Sequence, residues 1–167
     1  MYYGCSSEET KAEAIQKTVI EYRAAAGLFP AIRKVLEQFD GKVFNCRLEK
    51  ALQEATGRRL YVKKDGYRVE IYYYGDTYSG GCSWISLAMI PVDSLTDGKR
   101  IPAALLIDSA RKQREEHLKD AAALEENAGK IPEVKKQIKY FIEQANKLAQ
   151  ALPSELRDVY GIKYIYS

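Results

Sequence analysis

The strongest constraint on the fold is an apolar stripe near the carboxyl end of the sequence. Its members recur at spacings of four, three, four, three and four residues: Val134, Ile138, Phe141, Ala145, Leu148 and Leu152. Such spacing places all six side chains on one side of an α-helix. A helix with one apolar side is stable mainly when another surface covers that side. The stripe therefore predicts a long helix with a packing partner.

The segment before the stripe is the predicted partner. Residues 102–128 show the same helical spacing of apolar side chains, with polar interruptions such as His117. Between the two segments, Gly129 supplies a helix stop and Pro132 a helix start, which is typical of a tight turn between antiparallel helices. We therefore expect residues 102–152 to form an α-helical hairpin. A helix of about 25 residues is about 38 Å long, enough for the hairpin tip to project from the body.

Three shorter helices are expected before the hairpin. Their limits carry Ser, Pro, Asp or Gly, residues that satisfy or end the hydrogen bonding of helix termini. The predicted helices run from the capping box Ser6–Glu9 to Gly27, from Pro30 to Asp40, and from Val43 to Thr56.

The hydrophobic period then changes from that of a helix to that of a strand. Asp65 and Gly66 lie between two alternating runs, the strongest short signal for a β-hairpin. A two-residue turn sets Lys64 opposite Tyr67 and Val62 opposite Val69. In that register the apolar side chains of both strands share one face, and a slip of one residue would destroy the sorting.

A third strand, about Cys82 to Ile90, is expected to complete an antiparallel meander. Pairing Tyr74 with Cys82 sets Ile71 against Ile85 and Tyr67 against Met89 on the apolar face. The tail Tyr160–Tyr166 also alternates, and it predicts a short fourth strand. Together these elements predict an α+β fold with three helices, a three-stranded meander, a long α-hairpin and a terminal strand.

Composition supports one folded domain spanning residues 1–167. The sequence is 46% hydrophobic and 29% charged, as is ordinary for a globular protein. No run approaches the roughly 20 apolar residues that a membrane helix needs, so we expect a cytoplasmic protein without a membrane partner. The formal net charge of +3 is too small to indicate nucleic-acid binding by itself.

Catalytic and metal-binding patterns are weak in this sequence. The three cysteines, Cys5, Cys46 and Cys82, form no C-x-x-C pair, and His117 is the one histidine. Neither a disulfide framework nor a metal site is therefore expected. Ser109–Lys112 matches S-x-x-K without the companion motifs of acyl-transfer enzymes. The glycine-rich Tyr78–Cys82 loop precedes a strand instead of the helix that a phosphate loop needs. We expect no catalytic residues, no cofactor and no enzymatic activity.

The second face of the predicted sheet is the most suggestive feature for function. Six of the 13 tyrosines lie between residues 61 and 78. The register places Glu70, Ser86 and Ala88 on this face beside aromatic and basic side chains. The candidate partner-binding residues, including one in the following loop, are Arg59, Tyr61, Lys63, Arg68, Tyr72, Tyr74, Tyr78 and Trp84.

Such a face has two well-known uses. Tyr, Trp and Arg are enriched where proteins bind proteins, and aromatic rings beside cations also bind single-stranded nucleic acid. We expect a non-enzymatic protein-binding adaptor or inhibitor, a class that includes inhibitors carried by mobile elements against host defences. Single-stranded nucleic-acid binding is the alternative. Self-association through residues 102–152 is a third hypothesis. A structural alternative is that helices cover both sides of the sheet, in which case the aromatic side chains pack between layers and bind no partner.

Overall fold

The computed structural model describes residues 8–77, 81–95 and 100–162, with the side chains of 12–77, 83–95 and 100–162. Three N-terminal helices precede a three-stranded sheet, a long helix and a short helix. In chain order the elements are α1 (Glu8–Gly27), α2 (Phe29–Phe39), α3 (Cys46–Thr56), β1 (Tyr61–Lys64), β2 (Arg68–Thr77), β3 (Gly81–Pro91), a 3-10 turn (Val92–Ser94), α4 (Ala103–Ala151) and α5 (Ser154–Val159).

The three predicted N-terminal helices are confirmed. Helix α3 begins at Cys46 instead of Val43, because the Asn45 side chain accepts a hydrogen bond from the backbone N–H of Arg47 at 3.0 Å. It ends as predicted at Gly57, which has a φ of 66° and donates its N–H to Gln53 at 2.9 Å. The Ser6 part of the predicted capping box lies outside the described residues.

The antiparallel meander is confirmed, but its first hairpin is longer than predicted. Tyr61 pairs with Tyr72 and Lys64 with Val69, two residues away from the expected register. The Asp65 carboxylate accepts hydrogen bonds from the backbone N–H groups of Tyr67 and Arg68, both at 2.9 Å, and these bonds lower its pKa. They close a wider turn. A shift of two residues keeps the side chains of β1 and β2 on their predicted faces, whereas Tyr67, predicted on the apolar face, lies in the turn and is 87% exposed.

A β-bulge in β3 overturns part of the predicted sorting. Tyr72 pairs with Ser86, but its neighbour Ile71 pairs with Ala88, which leaves Leu87 as an extra residue. The extra residue reverses the alternation beyond it. Ala88, predicted on the second face, is therefore fully buried in the core, and Met89, predicted on the apolar face, is 43% exposed.

The hydrophobic core lies between one face of the sheet and helices α1, α2, α3 and the start of α4. These elements all contribute to a single apolar cluster. Its large, fully buried members include Ile32, Leu36, Leu48, Leu52, Leu60, Ile71, Ile101 and Leu106. Each such side chain contributes about 1.5–3 kcal/mol relative to exposure. The other face of the sheet takes no part in this cluster.

The predicted α-hairpin is wrong. Helix α4 runs without interruption over 49 residues, with Pro132 inside it. Gly129 does not adopt the positive φ that a glycine helix stop needs. An ion pair between Glu126 and Lys130 spans that glycine, and a 3.3 Å hydrogen bond joins Gln137 to Glu133 after the proline. Continuous helix thus persists although an interior proline costs about 3 kcal/mol.

The predicted terminal strand is wrong where it can be followed. Residues Ser154–Val159 form α5, and the N–H of Tyr160 donates to the Leu156 carbonyl at 3.1 Å. Residues 163–166 of that prediction lie outside the described ranges. Within those ranges the sheet has three strands, β1-β2-β3.

The chain divides into two compact units, Met1–Glu125 and Glu126–Ser167. The first contains the sheet and its core, and the second contains the later part of α4 and α5. A compact unit need not fold alone, so the single domain stays a prediction. None of the helices in the described ranges combines the length and apolar composition needed to cross a membrane.

Candidate functional site

The face of the sheet opposite the core is the candidate site, and we call it the outer face. Its side chains come from all three strands and alternate with the buried ones. They are Tyr61, Lys63, Arg68, Glu70, Tyr72, Tyr74, Trp84, Ser86 and, beyond the bulge, Met89. Arg59 lies just before β1, with its guanidinium 5.4 Å from the centre of the Tyr61 ring. Tyr78, the remaining predicted residue, lies outside the described chain.

Four aromatic rings on the outer face form one continuous cluster. The Tyr72 ring lies between two other rings. Its centre is 3.7 Å from that of Trp84, with 8° between the ring planes, and 5.4 Å from that of Tyr61, with 21° between the planes. Tyr74 meets Trp84 edge-on at 6.1 Å. Burial, followed by a hydrogen bond with Tyr74, raises the pKa of the Tyr72 hydroxyl. Each ring is therefore held in place by its neighbours.

A buried carboxylate fixes the indole. Glu70 is only 3% exposed, and its Oε1 accepts a 2.8 Å hydrogen bond from Nε1 of Trp84. Its Oε2 lies 3.3 Å from Nε of Arg68. Burial of a carboxylate is costly unless such partners compensate it. The sequence predicted Glu70 on this face but gave no signal for its bond to Trp84, since the two residues lie on different strands.

The cations of the outer face differ in how they are paired. Lys63 lies 3.6 Å and Arg68 lies 3.8 Å from the Asp65 carboxylate. The same two cations lie 5.5 and 6.0 Å from the centre of the Trp84 ring. Arg59 is exposed and forms no ion pair with a carboxylate in the described ranges. It is thus the member of the predicted set whose charge the described fold leaves uncompensated.

The aromatic cluster is open to solvent. Tyr74 is 48% exposed and Trp84 is 39% exposed. Helices on both sides of the sheet would have buried these two rings, so the interlayer-packing alternative is wrong for them. Tyr72 is buried by the neighbouring rings that stack on it.

Side chains of α3 protect the free edge of β1. The Glu49 carboxylate accepts a 2.9 Å hydrogen bond from the backbone N–H of Val62. Gln53 donates its side-chain amide to the carbonyl of Leu60 at 2.8 Å. An exposed strand edge pairs readily with strands from other chains. At these positions the backbone groups are already used.

Helix α4 protects the edge of β3 in the same way. The Ser109 hydroxyl contacts both the N–H and the carbonyl of Met89 at 2.8 Å. His117 donates its Nε2 hydrogen to the Ser86 carbonyl at 2.8 Å, and its ring stacks on Tyr22 at 5.3 Å. The hydroxyl of the S-x-x-K pattern and the histidine ring are therefore both engaged in holding α4 against the sheet.

A second polar cluster lies on the core side and anchors α1. Arg58 binds both carboxylate oxygens of Glu21, at 3.0 and 3.4 Å. The Tyr73 hydroxyl donates to the same carboxylate at 2.9 Å. Burial raises the pKa of Tyr73, and the hydrogen bond with Glu21 raises that of Arg58. All three groups satisfy one another, which is what a structural anchor requires.

In the part of the chain that the structure describes, no group of three or more His, Cys, Asp or Glu side chains is placed to hold a metal ion. Comparison of the chain with protein-family models, with curated proteins and with solved structures found no match.

Proposed function

We propose that this protein binds another protein through the outer face of its sheet. The observation that carries the proposal is the exposure of Tyr74 and Trp84 on a rigid, pre-stacked aromatic cluster. Rings that are already ordered lose little conformational entropy on binding. Trp, Tyr and Arg are also the residues that dominate binding energy at protein interfaces.

The ring geometry favours a protein over single-stranded nucleic acid. A base stacks on a free aromatic face. Tyr72 is flanked by rings on both sides, and the Trp84 indole has Tyr72 on one side and two cations over it. A base that stacked on Tyr72 or Trp84 would have to displace one of these contacts. Side chains of a protein can instead pack against the exposed ring edges.

The charges of the outer face support the same choice. Binding of phosphates needs cations that are free to replace counterions. Lys63 and Arg68 are instead matched by Asp65 and Glu70. Only a weak dependence of affinity on salt is therefore expected.

The chemistry of the site also indicates the kind of protein segment that fits. Arg59 provides an exposed guanidinium next to Tyr61 that pairs with no carboxylate of the described residues, and Tyr74 and Met89 provide exposed apolar surface. We infer that the partner contributes a carboxylate for Arg59 and an apolar or aromatic side chain for Tyr74. Because both strand edges are engaged by helices, the partner is expected to lie across the face and not to extend the sheet.

Peptide selection tests this proposal without knowledge of the partner. A random linear peptide library displayed on phage would be selected on the wild-type protein and counter-selected on the Arg59→Glu/Tyr74→Ser variant. We expect enrichment of peptides that combine Asp or Glu with an apolar residue. Synthetic versions should change the emission of Trp84, the one tryptophan of the chain.

The control variant is Lys34→Glu, which makes the same change of charge as Arg59→Glu at an exposed position of α2. It should bind the selected peptides with wild-type affinity. Arg59→Glu should instead lower the affinity for these peptides by about tenfold or more, as expected for a charge pair worth about 1.4 kcal/mol. Peptides that bind wild type and the double variant equally would refute the proposal. The proposal would also be refuted if no peptide binds and the protein instead binds oligothymidine with an affinity that is lost between about 50 and 200 mM salt.

Assignment as an adaptor or an inhibitor, of mobile-element origin or otherwise, depends on the partner and stays a prediction. The selected peptide sequences are the route to that partner.

A further inference from the structure

The large side chains of the apolar stripe are exposed, whereas Ala145 within it is half-buried. Residues 131–140 are all exposed, and farther along the helix Phe141 is 65% and Leu148 is 71% exposed. Isolated apolar side chains on a surface are common, but a contiguous row marks an interaction site. Among the described residues, the large side chains of the stripe thus lack the cover that its spacing predicted.

The spacing of the stripe specifies a helix as the partner. Adding Ile131 at the start gives three heptads with positions a at Ile131, Ile138, Ala145 and Leu152, and positions d at Val134, Phe141 and Leu148. A period of 3.5 residues keeps a row of side chains on one seam only when two helices supercoil around each other. The helical part of this row, residues 131–151 of α4, gives a seam about 32 Å long, and Leu152 follows directly after it.

The charges along the seam favour an antiparallel pair of identical helices. Four lysines cluster at its start, at Lys130, Lys135, Lys136 and Lys139, whereas Lys147 is the one basic residue in the following stretch 140–151 and the last turn of α4 contains none. A parallel pair would place Lys130 at position g beside Lys135 at position e of the other helix. An antiparallel pair instead brings the lysines to the negative, carboxyl end of the partner's helix dipole. The copy thus supplies the charge that each helix end lacks.

We propose that two copies of the chain associate through residues 131–152 as an antiparallel coiled coil. This surface is separate from the outer face and does not depend on the protein-binding proposal. A dimer carries two outer faces, so a partner with two binding segments would be held with increased avidity.

Sedimentation of the full chain over a concentration range from the order of 1 µM to 1 mM tests the association. We expect a monomer–dimer equilibrium, and Leu148→Glu should raise the dimer dissociation constant by at least about tenfold. Gln150→Glu adds the same charge at the exposed position f and should leave the equilibrium unchanged. A wild-type chain that stays monomeric, or a dimer that tolerates Leu148→Glu, would overturn the proposal. Circular dichroism should confirm that both variants keep their helix content.

Cross-linking tests the orientation. In a chain with its three native cysteines changed to Ser, Ile131→Cys and Leu152→Cys variants would be treated with a bis-maleimide about 10 Å long. In an antiparallel pair identical positions lie about 30 Å apart. Each variant alone should therefore stay uncross-linked, and only their mixture should yield covalent dimer. Cross-linking of each variant with itself would establish a parallel pair and overturn the assigned orientation.

Discussion

Replacement of Trp84 by Phe tests whether the bond to Glu70 holds the aromatic cluster. Phenylalanine preserves an aromatic ring for stacking on Tyr72 but removes the Nε1–H donor. The Glu70 side chain is 4% exposed, so its Oε1 would lose a hydrogen bond at 2.8 Å without gaining one from bulk water. A hydrogen bond to a buried charged group contributes about 1.5–3 kcal/mol. Since Trp84 itself is partly exposed, we expect a loss of about 2 kcal/mol of unfolding free energy.

A double-mutant cycle with Glu70→Leu separates this bond from general packing. Without the carboxylate, Trp84→Phe should cost less than about 1 kcal/mol, so the coupling between the two positions should exceed about 1 kcal/mol. Urea unfolding followed by far-ultraviolet circular dichroism suits the measurement, because the variant lacks the tryptophan reporter.

Equal costs of Trp84→Phe in both backgrounds would refute the reasoning. The indole would then be positioned by stacking alone. A changed slope of unfolding free energy against urea concentration would indicate that the variant alters the folded or unfolded ensemble. The comparison would then be repeated with Trp84→Tyr, which keeps a ring of similar polarity.

Three further predictions concern the core and the long helix. Gly75→Ala should destabilise the fold by about 1–3 kcal/mol, because a Cβ there would collide with Cδ1 of Ile85 and lie 2.7 Å from Oε2 of Glu21; thermal unfolding with a wild-type melting temperature would contradict this. Burial raises the pKa of Tyr73 in the folded state, so above about pH 10 only the unfolded state loses the Tyr73 proton. The free energy of unfolding should therefore fall by up to about 1.4 kcal/mol per pH unit. Tyr73→Phe should reduce this fall in urea titrations. Pro132→Ala should increase helix content and raise the free energy of unfolding by up to about 3 kcal/mol, because an N–H becomes available inside α4. A loss of stability would indicate a turn at this point.

The matched control for the alkaline titration is Tyr67→Phe. Tyr67 is highly exposed, so its replacement should leave the loss of stability at high pH unchanged. If both variants behave like wild type, Tyr73 does not control the alkaline stability.

Local signals predicted the elements of the first unit well. Asn45 and Gly57 terminate α3 by hydrogen bonds that lie close in sequence, and alternation sorted the residues of β1 and β2 correctly even though their register differed by two. Sorting survives such an error because side chains alternate with a period of two. Six of the eight predicted candidate residues accordingly lie on the strands of the outer face, and their role in binding stays a prediction.

Nonlocal effects account for the errors. Nothing in the sequence near Leu87 marks a bulge, because its position depends on how β2 and β3 pack on the core. Gly129 and Pro132 resemble a turn, yet both are accommodated in a helix whose other residues favour continuation. The bond between Glu70 and Trp84 joins separate strands and could not be inferred before the register was known.

The bulge at Leu87 also bears on how this protein can evolve. Residues before it, such as Trp84 and Ser86, face outward, whereas Ala88 beyond it belongs to the hydrophobic core. Outward-facing and core positions therefore alternate along β3, with Ile85 buried before the bulge and Met89 exposed after it. Under the proposed function, mutations at the outward positions of β3 would change partner choice, whereas its core positions, such as Ile85 and Ala88, maintain the fold.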